Sequence, residues 1–225
     1  MTVQHIVIIG ASRGIGRGLA EAFASAGAQV VATVRREKGN EDAHPRISTQ
    51  VVDMTDPVSC VRLQEALSTV TIDALVVNAG VFGPDHQSVS QVTEEEIASL
   101  FMTNAVAPVR LAQALLPQVR EGGVIAFMSS ATASYTHNDT GDMALYRASK
   151  SALNSLARSF AVTKALPAKR GVLLLHPGWV QTDMGGQRAP VTVAESAAGL
   201  QNVINAALDN PQCRFIDYQG QEIAP

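Results

Sequence analysis

The chain has little of what disulfide-rich, metal-binding, membrane or nucleic-acid-binding proteins are built from. Its only two cysteines, Cys60 and Cys213, stand alone in 225 residues. With no CxxC pairing and no metal-ligand spacing, they read as reduced thiols, buried or half-buried, and no metal site is expected. There is no excess of positive charge: the formal net charge is -3. A surface for phosphodiester backbones needs clustered Lys and Arg, so nucleic acid is not an expected partner. No apolar run approaches the ~20 residues of a membrane span. The start of the chain shows neither a basic leader nor a small-residue cleavage site, which points to a cytoplasmic protein. Internal repeats, low-complexity tracts and linkers are also absent.

Apolar material is plentiful. Hydrophobic residues make up 46% and charged residues 16%, a balance that supports a core and excludes disorder. The length suits one α/β domain, taken as 1–225. Runs rich in Val, Ile and Leu at 3–9, 29–34, 47–52, 72–77, 124–129 and 171–176, with a weaker one at 214–218, alternate with helix-period stretches at 14–26, 57–70, 94–119, 146–166 and 193–208. This alternation predicts βα units wound into a Rossmann-type, doubly wound, mostly parallel sheet of about seven strands with helices on both faces. The polar stretch 35–46, broken by Gly39 and Pro45, predicts only a turn or so of helix in the second crossover.

The first strand ends in Gly10-Ala11-Ser12-Arg13-Gly14-Ile15-Gly16 and passes directly into a helix. In a parallel sheet, ligands lie beyond the carboxyl ends of the strands, where a helix start directs unpaired N–H groups and a positive dipole end at a pyrophosphate. Glycines let the backbone turn and approach closely. The same triplet fits an unliganded tight turn; the strand before it and the helix after it favour a dinucleotide.

Further motifs follow in order: Asn78-Ala79-Gly80 after the fourth strand, Asn104 in the next long helix, Ser130 after the fifth strand, Tyr146-x-x-x-Lys150 opening a helix, and Pro177-Gly178 after the sixth strand. With the G-x-x-x-G-x-G spacing of the loop, this set resembles the short-chain dehydrogenase/reductase family over most of the chain. The run from His176 to Met184, with Trp179 in it and a brief lid at 184–190, is similar to the compact sniffer- and C-factor-like carbonyl reductases. The resemblance implies an oxidoreductase using a nicotinamide cofactor on a small carbonyl or alcohol substrate.

Charge selects among nicotinamide cofactors. An acidic residue ending the second strand would hold the ribose hydroxyls of NAD and repel a 2'-phosphate. Val34 stands there, followed by Arg35 and Arg36, and Arg13 lies inside the glycine loop. Arg makes forked, charge-assisted bonds to phosphate, so Arg13 and Arg35 are the candidate clamps and NADP(H) the expected cofactor; solvated surface arginines are the plain alternative. By the resemblance, Asp53 would meet the adenine amino group and Met54 supply a backbone contact; Gly10, Ser12, Gly14, Ile15, Gly16, Asn78, Ala79, Gly80, Pro177 and Gly178 would line the cofactor, and Thr182 with the backbone at Val180 would hold the carboxamide. Asp53 also fits a helix cap, and Thr182 a turn hydroxyl.

Carbonyl reduction needs a proton donor whose pKa lies near the working pH. A free phenol near 10 is too weak. Tyr146 and Lys150 share a helix face, and a nearby ammonium would stabilise the phenolate and lower the tyrosine pKa. The resemblance gives Tyr146 the acid–base role, Lys150 an added bond to the nicotinamide ribose, Ser130 a bond to the substrate oxygen and Asn104 a water in a proton relay. Ser129 competes with Ser130, because adjacent strand residues face opposite ways. Tyr135, His137 and Asp139 lie in a polar loop expected to border the substrate, as selectivity residues or as solvated ones. His176 reads as a strand-end packing residue.

Two positions depart from the family pattern: Ile9 precedes the first glycine where Thr is common, and Val77 precedes Asn78 where a second Asn is common. Both remove a polar tie between strands and put local rigidity in doubt. NADPH-dependent reduction of an aldehyde or ketone is the leading reading. The alternatives are an NAD-dependent alcohol dehydrogenase and a non-catalytic nicotinamide sensor. Pairing into a homodimer or homotetramer through the helices at 104–119 and 149–166 is implied by the resemblance, although the small residues Ala148, Ala152, Ser155 and Ala157 that would permit it also suit packing on the sheet.

Overall fold

The computed structural model describes residues 1–36 and 44–225. Among these residues seven strands form one sheet: β1 His5–Ile9, β2 Gln29–Val34, β3 Ile47–Val51, β4 Ile72–Val77, β5 Val119–Met128, β6 Gly171–His176 and β7 Cys213–Asp217. Their order is β3-β2-β1-β4-β5-β6-β7, and every pairing between them is parallel. The direction of winding reverses between β1 and β4, which opens a crevice at their carboxyl ends.

The helices are α1 Gly14–Ser25, α2 Pro57–Ala66, α3 Glu94–Phe101, α4 Ala107–Leu115, α5 Ala144–Phe160 and α6 Val193–Ala207. Parallel strands are covered on both faces, so alternate residues of each central strand enter different cores. One core joins Val7, Leu75, Ile125 and Phe127 to Leu63 of α2, Leu111 of α4 and Leu153 of α5. The other joins Ile6, Ile8, Val76 and Leu175 to Leu19 of α1 and Leu200 of α6. Cys60 is buried in the first core and Cys213 half-buried at its margin, both as free thiols.

Several boundaries differ from the sequence expectation: the helix expected at 57–70 ends at Ala66 and the strand expected at 3–9 starts at His5. The stretch 94–119 is not one helix: a π-helical turn, Met102–Val106, separates α3 from α4, and a 3-10 turn, Leu116–Gln118, ends the run. Pro108 has no N–H for the carbonyl of Asn104, so an unbroken α-helical ladder is excluded there. Pro117 has the same effect near the end. β5 starts at Val119, five residues earlier than the apolar pattern indicates, with a register shift between Ile72 and Ala74 where it joins β4. Arg120-Glu121-Gly122-Gly123 hides this half of the strand because it reads as a turn, and such irregular, glycine-containing pairing is how a bulged strand enters a sheet. The helix expected at 146–166 starts at Ala144 and widens into a π turn at Ala161–Ala165. The short second crossover expected at 35–46 lies mostly at 37–43, outside the described residues.

Phe127 of β5 and Phe160 of α5 meet edge to face, ring centroids 6.3 Å apart, at the centre of the larger core. Phe160→Ala is expected to lower stability by about 3–5 kcal/mol. Urea unfolding of the two proteins measures this, and a loss below about 1 kcal/mol would mean that the core closes over the deleted ring.

Candidate active site

The crevice at the β1/β4 reversal is built from backbone contacts. The N–H groups of Asn78 and Ala79 both donate to the Ile9 carbonyl, at 2.9 Å each, and Asn78 Nδ2 donates to the Gly10 carbonyl at 2.7 Å. A Cβ on Gly10 would lie 2.7 Å from the Ala79 Cβ, and one on Gly16 only 2.2 Å from the Gly10 oxygen. These two positions therefore admit nothing larger than glycine. The rigidity put in doubt by Ile9 and Val77 is supplied by Thr33 of β2. Its hydroxyl accepts from Gly10 N at 3.0 Å and its carbonyl from Ala11 N at 2.8 Å. Sequence reasoning missed Thr33, a strand residue with no motif around it.

Gly10 and Gly14 have φ of 87° and 57°, and α1 begins after Arg13 with no side-chain cap. Its first N–H groups thus face the crevice unclaimed by a local side chain, as an anion site requires. Ser12 and Ile15 are half-buried beside this turn. Arg13 is exposed and forms an ion pair with Asp183 across the crevice mouth, a partner the sequence does not reveal. Arg35 and Arg36 are exposed just past β2. Arg35 also helps lower the Asp53 pKa, although the larger cause is Thr55, whose hydroxyl and N–H both donate to the Asp53 carboxylate at 2.6 and 2.9 Å. The helix cap is Asp56, which accepts from Val58 and Ser59 N–H, so Asp53 is not spent on α2. The Met54 side chain is in the core.

The loop after β6 closes the other side. Pro177 is buried, its carbonyl bonded by Ser196 Oγ at 2.7 Å, and Gly178 turns with φ 88°. Val180 bridges to Val191, and Thr182 Oγ1 accepts from Gly185 N at 3.1 Å. The Thr182 methyl would be 3.3 Å from a Cβ on Gly14, so this loop and the glycine loop are in contact. The brief lid is tied internally by Trp179 Nε1, which donates to the Gly185 carbonyl at 2.7 Å. The buried His176 Nδ1 has no hydrogen-bond partner among the described residues, and burial holds its pKa low.

Asn104, Ser130, Tyr146 and Lys150 converge between these loops. The two serines separate cleanly. Ser129 Oγ donates to Asn154 Oδ1 at 2.6 Å, whereas Ser130 stands near enough to the Tyr146 phenol to work against the rise in its pKa. Ser130 Oγ also accepts from Thr132 N and Oγ1, at 3.2 and 2.9 Å. Its lone pairs are filled, which leaves its own proton for the phenol oxygen. Asn104 is fully buried in the π turn. Its Oδ1 accepts from Val81 N at 2.8 Å, and its Nδ2 donates to Val81 O at 2.8 Å and Ser149 Oγ at 3.0 Å. A Cβ on Gly80 would lie 3.2 Å from Asn104 Oδ1 and 3.3 Å from Lys150 Nζ, so the Asn78-Ala79-Gly80 turn touches both.

The expected lowering of the tyrosine pKa by the lysine is not what the site does by itself. Burial pushes Tyr146 up to about 12, opposed by Ser130, and burial brings Lys150 down to about 8. The reason is geometric. Lys150 Nζ donates to the Met128 carbonyl at 2.9 Å and sits 5.7 Å from the Tyr146 ring centroid, over the ring face. Desolvation of each charged form then outweighs their mutual effect.

A parallel sheet with a glycine-lined crevice at its reversal, and a buried Tyr–Lys–Ser cluster beside it, defines a dinucleotide-binding oxidoreductase of the Rossmann type. The chain belongs to the short chain dehydrogenase family, whose model matches residues 4–191. Among solved structures, a carbonyl reductase from Pseudomonas aeruginosa PAO1 is similar at 45% identity and TM-score 0.91 over 100% of both chains. The same reductase in complex with NADP is similar at 46% and 0.91, again over 100% of both. The carbonyl reductase Sniffer of D. melanogaster is similar at 28% and 0.85, over 99% of this chain and 99% of that one. C-signal of Myxococcus xanthus is 39% identical over 154 residues, 68% of this chain and 92% of that protein.

The buried amine makes stability depend on pH. In the unfolded chain Lys150 holds its proton up to its ordinary 10.5, but in the folded protein only up to about 8. Below pH 8 the folded state bears the full cost of burying the charge; between 8 and 10.5 only the unfolded state remains protonated, so stability rises with pH. Tyr146 acts oppositely from pH 10 upward, because its folded value of about 12 lies above its ordinary 10.0. Lys150→Met is expected to be more stable than the parent at neutral pH by on the order of 2 kcal/mol, after the lost Met128 bond is counted. Urea unfolding from neutral pH up to 10 should show the rise in the parent alone; the same slope in both proteins would contradict the assignment.

Proposed function

We propose that this protein uses NADPH to reduce an aldehyde or ketone to an alcohol. The observation that carries the reading is the buried Tyr146 phenol with Lys150 Nζ 5.7 Å over its ring and Ser130 close enough to oppose the rise in its pKa, all at the edge of a crevice that fits a dinucleotide. The fit rests on the uncapped start of α1 and on the Gly10 and Gly16 contacts, which leave space only for bare backbone at the turn. NADPH supplies the hydride. Tyr146 gives its proton to the carbonyl oxygen, and Ser130, with its lone pairs filled by Thr132, offers its proton to the oxygen of the phenol or the substrate. The buried Lys150 favours the phenolate left behind and bonds the nicotinamide ribose. Asn104 holds Val81 and Ser149, and one lone pair of its Oδ1 remains for the relay water. Arg35, exposed at the end of β2 with no acidic residue at Val34, takes the 2'-phosphate; Arg13 joins it by leaving Asp183. The NADP complexes of similar reductases support this cofactor choice.

The similarity to C-signal favours a second reading, a nicotinamide-binding signalling protein without turnover. One experiment separates the two. Loss of NADPH absorbance is followed with a panel of aldehydes, ketones, quinones and diketones, with NADH and Tyr146→Phe in parallel. The expected result is turnover that prefers NADPH and falls roughly 100- to 10,000-fold in Tyr146→Phe. Cofactor binding with no turnover across the panel would overturn the reductase reading.

Arg35→Ala tests the cofactor assignment. It should weaken NADPH binding about ten- to a hundredfold and leave NADH binding nearly unchanged, as loss of a charge-assisted phosphate contact requires. Fluorescence titration with each nucleotide measures this, and an equal effect on both would remove Arg35 from the 2'-phosphate site.

A further inference from the structure

The helix that carries Tyr146 starts without a cap of its own. The residue before α5, Met143, has φ 50° and no side-chain acceptor for the first turn. The third helical N–H, which an N-cap side chain would normally satisfy, belongs to Tyr146 itself. It donates instead to Gln87 Oε1 at 2.8 Å, across 59 residues of sequence.

Gln87 is in turn held by the loop that follows β4. Its Nε2 donates to the carbonyls of Phe82 and Pro84 at 3.1 and 2.8 Å. Its backbone has φ 49°, a left-handed conformation that costs a residue other than glycine about 1 kcal/mol or more and persists only where surrounding contacts over-determine it. The other end of the loop reaches the same tyrosine, since the Phe82 ring stacks on the Tyr146 ring with centroids 5.3 Å apart and planes at 30°. Val81, next to Phe82, is pinned through both its N–H and its carbonyl by Asn104. Tyr146 is therefore gripped twice by one loop, at its backbone through Gln87 and at its ring through Phe82. A primary amide suits the position because it accepts from the helix and donates to the loop at once.

From this arrangement we propose that Gln87 is a positioning residue for Tyr146, acting as a long-range cap that sets where the phenol stands relative to Ser130. The inference rests on the reading of Tyr146 as the proton donor. Small displacements of a reacting group cost rate steeply, so loosening the cap acts on the chemical step while cofactor binding, made by other elements, stays intact.

The test compares Gln87→Gly, which keeps the φ 49° backbone comfortable while deleting the side chain, and Gln87→Met, which keeps its length but loses the acceptor, with the parent and Tyr146→Phe. Measured are kcat, KM, the NADPH dissociation constant, the pH profile of kcat/KM and the ring resonances of isotope-labelled tyrosine. Expected in both Gln87 variants are a kcat about tenfold lower, an NADPH dissociation constant within about twofold, a displaced pH profile and a shifted Tyr146 resonance. If Tyr146→Phe is inactive while both Gln87 variants keep the parent's kcat and pH profile, this inference alone is overturned. Activity lost only in proportion to folded protein, with an unchanged pH profile, overturns it as well. If Tyr146→Phe retains turnover, the functional reading falls, and the tyrosine resonance decides: unmoved in Gln87→Gly, it overturns the positioning role too.

Discussion

Everything at the site depends on how closely the ends of β1 and β4 approach at the sheet reversal. Gly10 lies against Ala79, Gly16 against the Gly10 carbonyl, and Asn78 bonds that same carbonyl, so the turn is made almost wholly of backbone. A single added Cβ would force these strand ends apart. Because the contact is tight, α1 starts directly over the crevice and Gly80 reaches both Asn104 and Lys150. The glycine-lined crevice and the cluster around Tyr146 are thus consequences of one packing constraint, with Thr33 bracing it from β2.

The cluster around Tyr146 works against stability. An amine and a phenol are both placed where their charged forms are poorly solvated, which lowers one pKa and raises the other. The surrounding polar groups are correspondingly well paired: Lys150 on the Met128 carbonyl, Ser130 between Thr132 and the phenol, and Asn104 across Val81 and Ser149. A buried polar cluster is tolerated when its members are satisfied, and the residual cost sits on the amine and the phenol. The helices on either side supply rigidity. The π turn places Asn104 inside the fold, and Ser129 bonds Asn154 two turns beyond Tyr146 on α5.

The fold was largely legible because both-face burial of parallel strands leaves continuous Val, Ile and Leu runs. β2, β4 and β6 match their apolar segments residue for residue. The start of β5 is hidden in the sequence because strand pairing there tolerates Arg120, Glu121 and two glycines, and pairing partners are not a local property. The break within 94–119 is hidden as well, because the period of the apolar residues continues across the π turn even though the hydrogen-bond ladder does not. The residues brought together at the site were legible from ordered motifs, but Thr33, Phe82, Gln87, Asn154 and Asp183 were not. Each contacts the site from a distant position and sits in no recognisable pattern.

The sequence by itself determined the fold class, the glycine crevice and the set of polar residues gathered around Tyr146, because periodicity, glycine spacing and side-chain chemistry are carried by neighbouring residues. Only the tertiary structure decided that Ser130 rather than Ser129 meets the phenol, that burial outweighs the lysine's influence on it, that Arg13 pairs with Asp183, and that Gln87 caps the helix of Tyr146. Those outcomes depend on distances between residues far apart in the chain and on how much water the fold removes from them, and neither quantity is written in any local stretch of sequence.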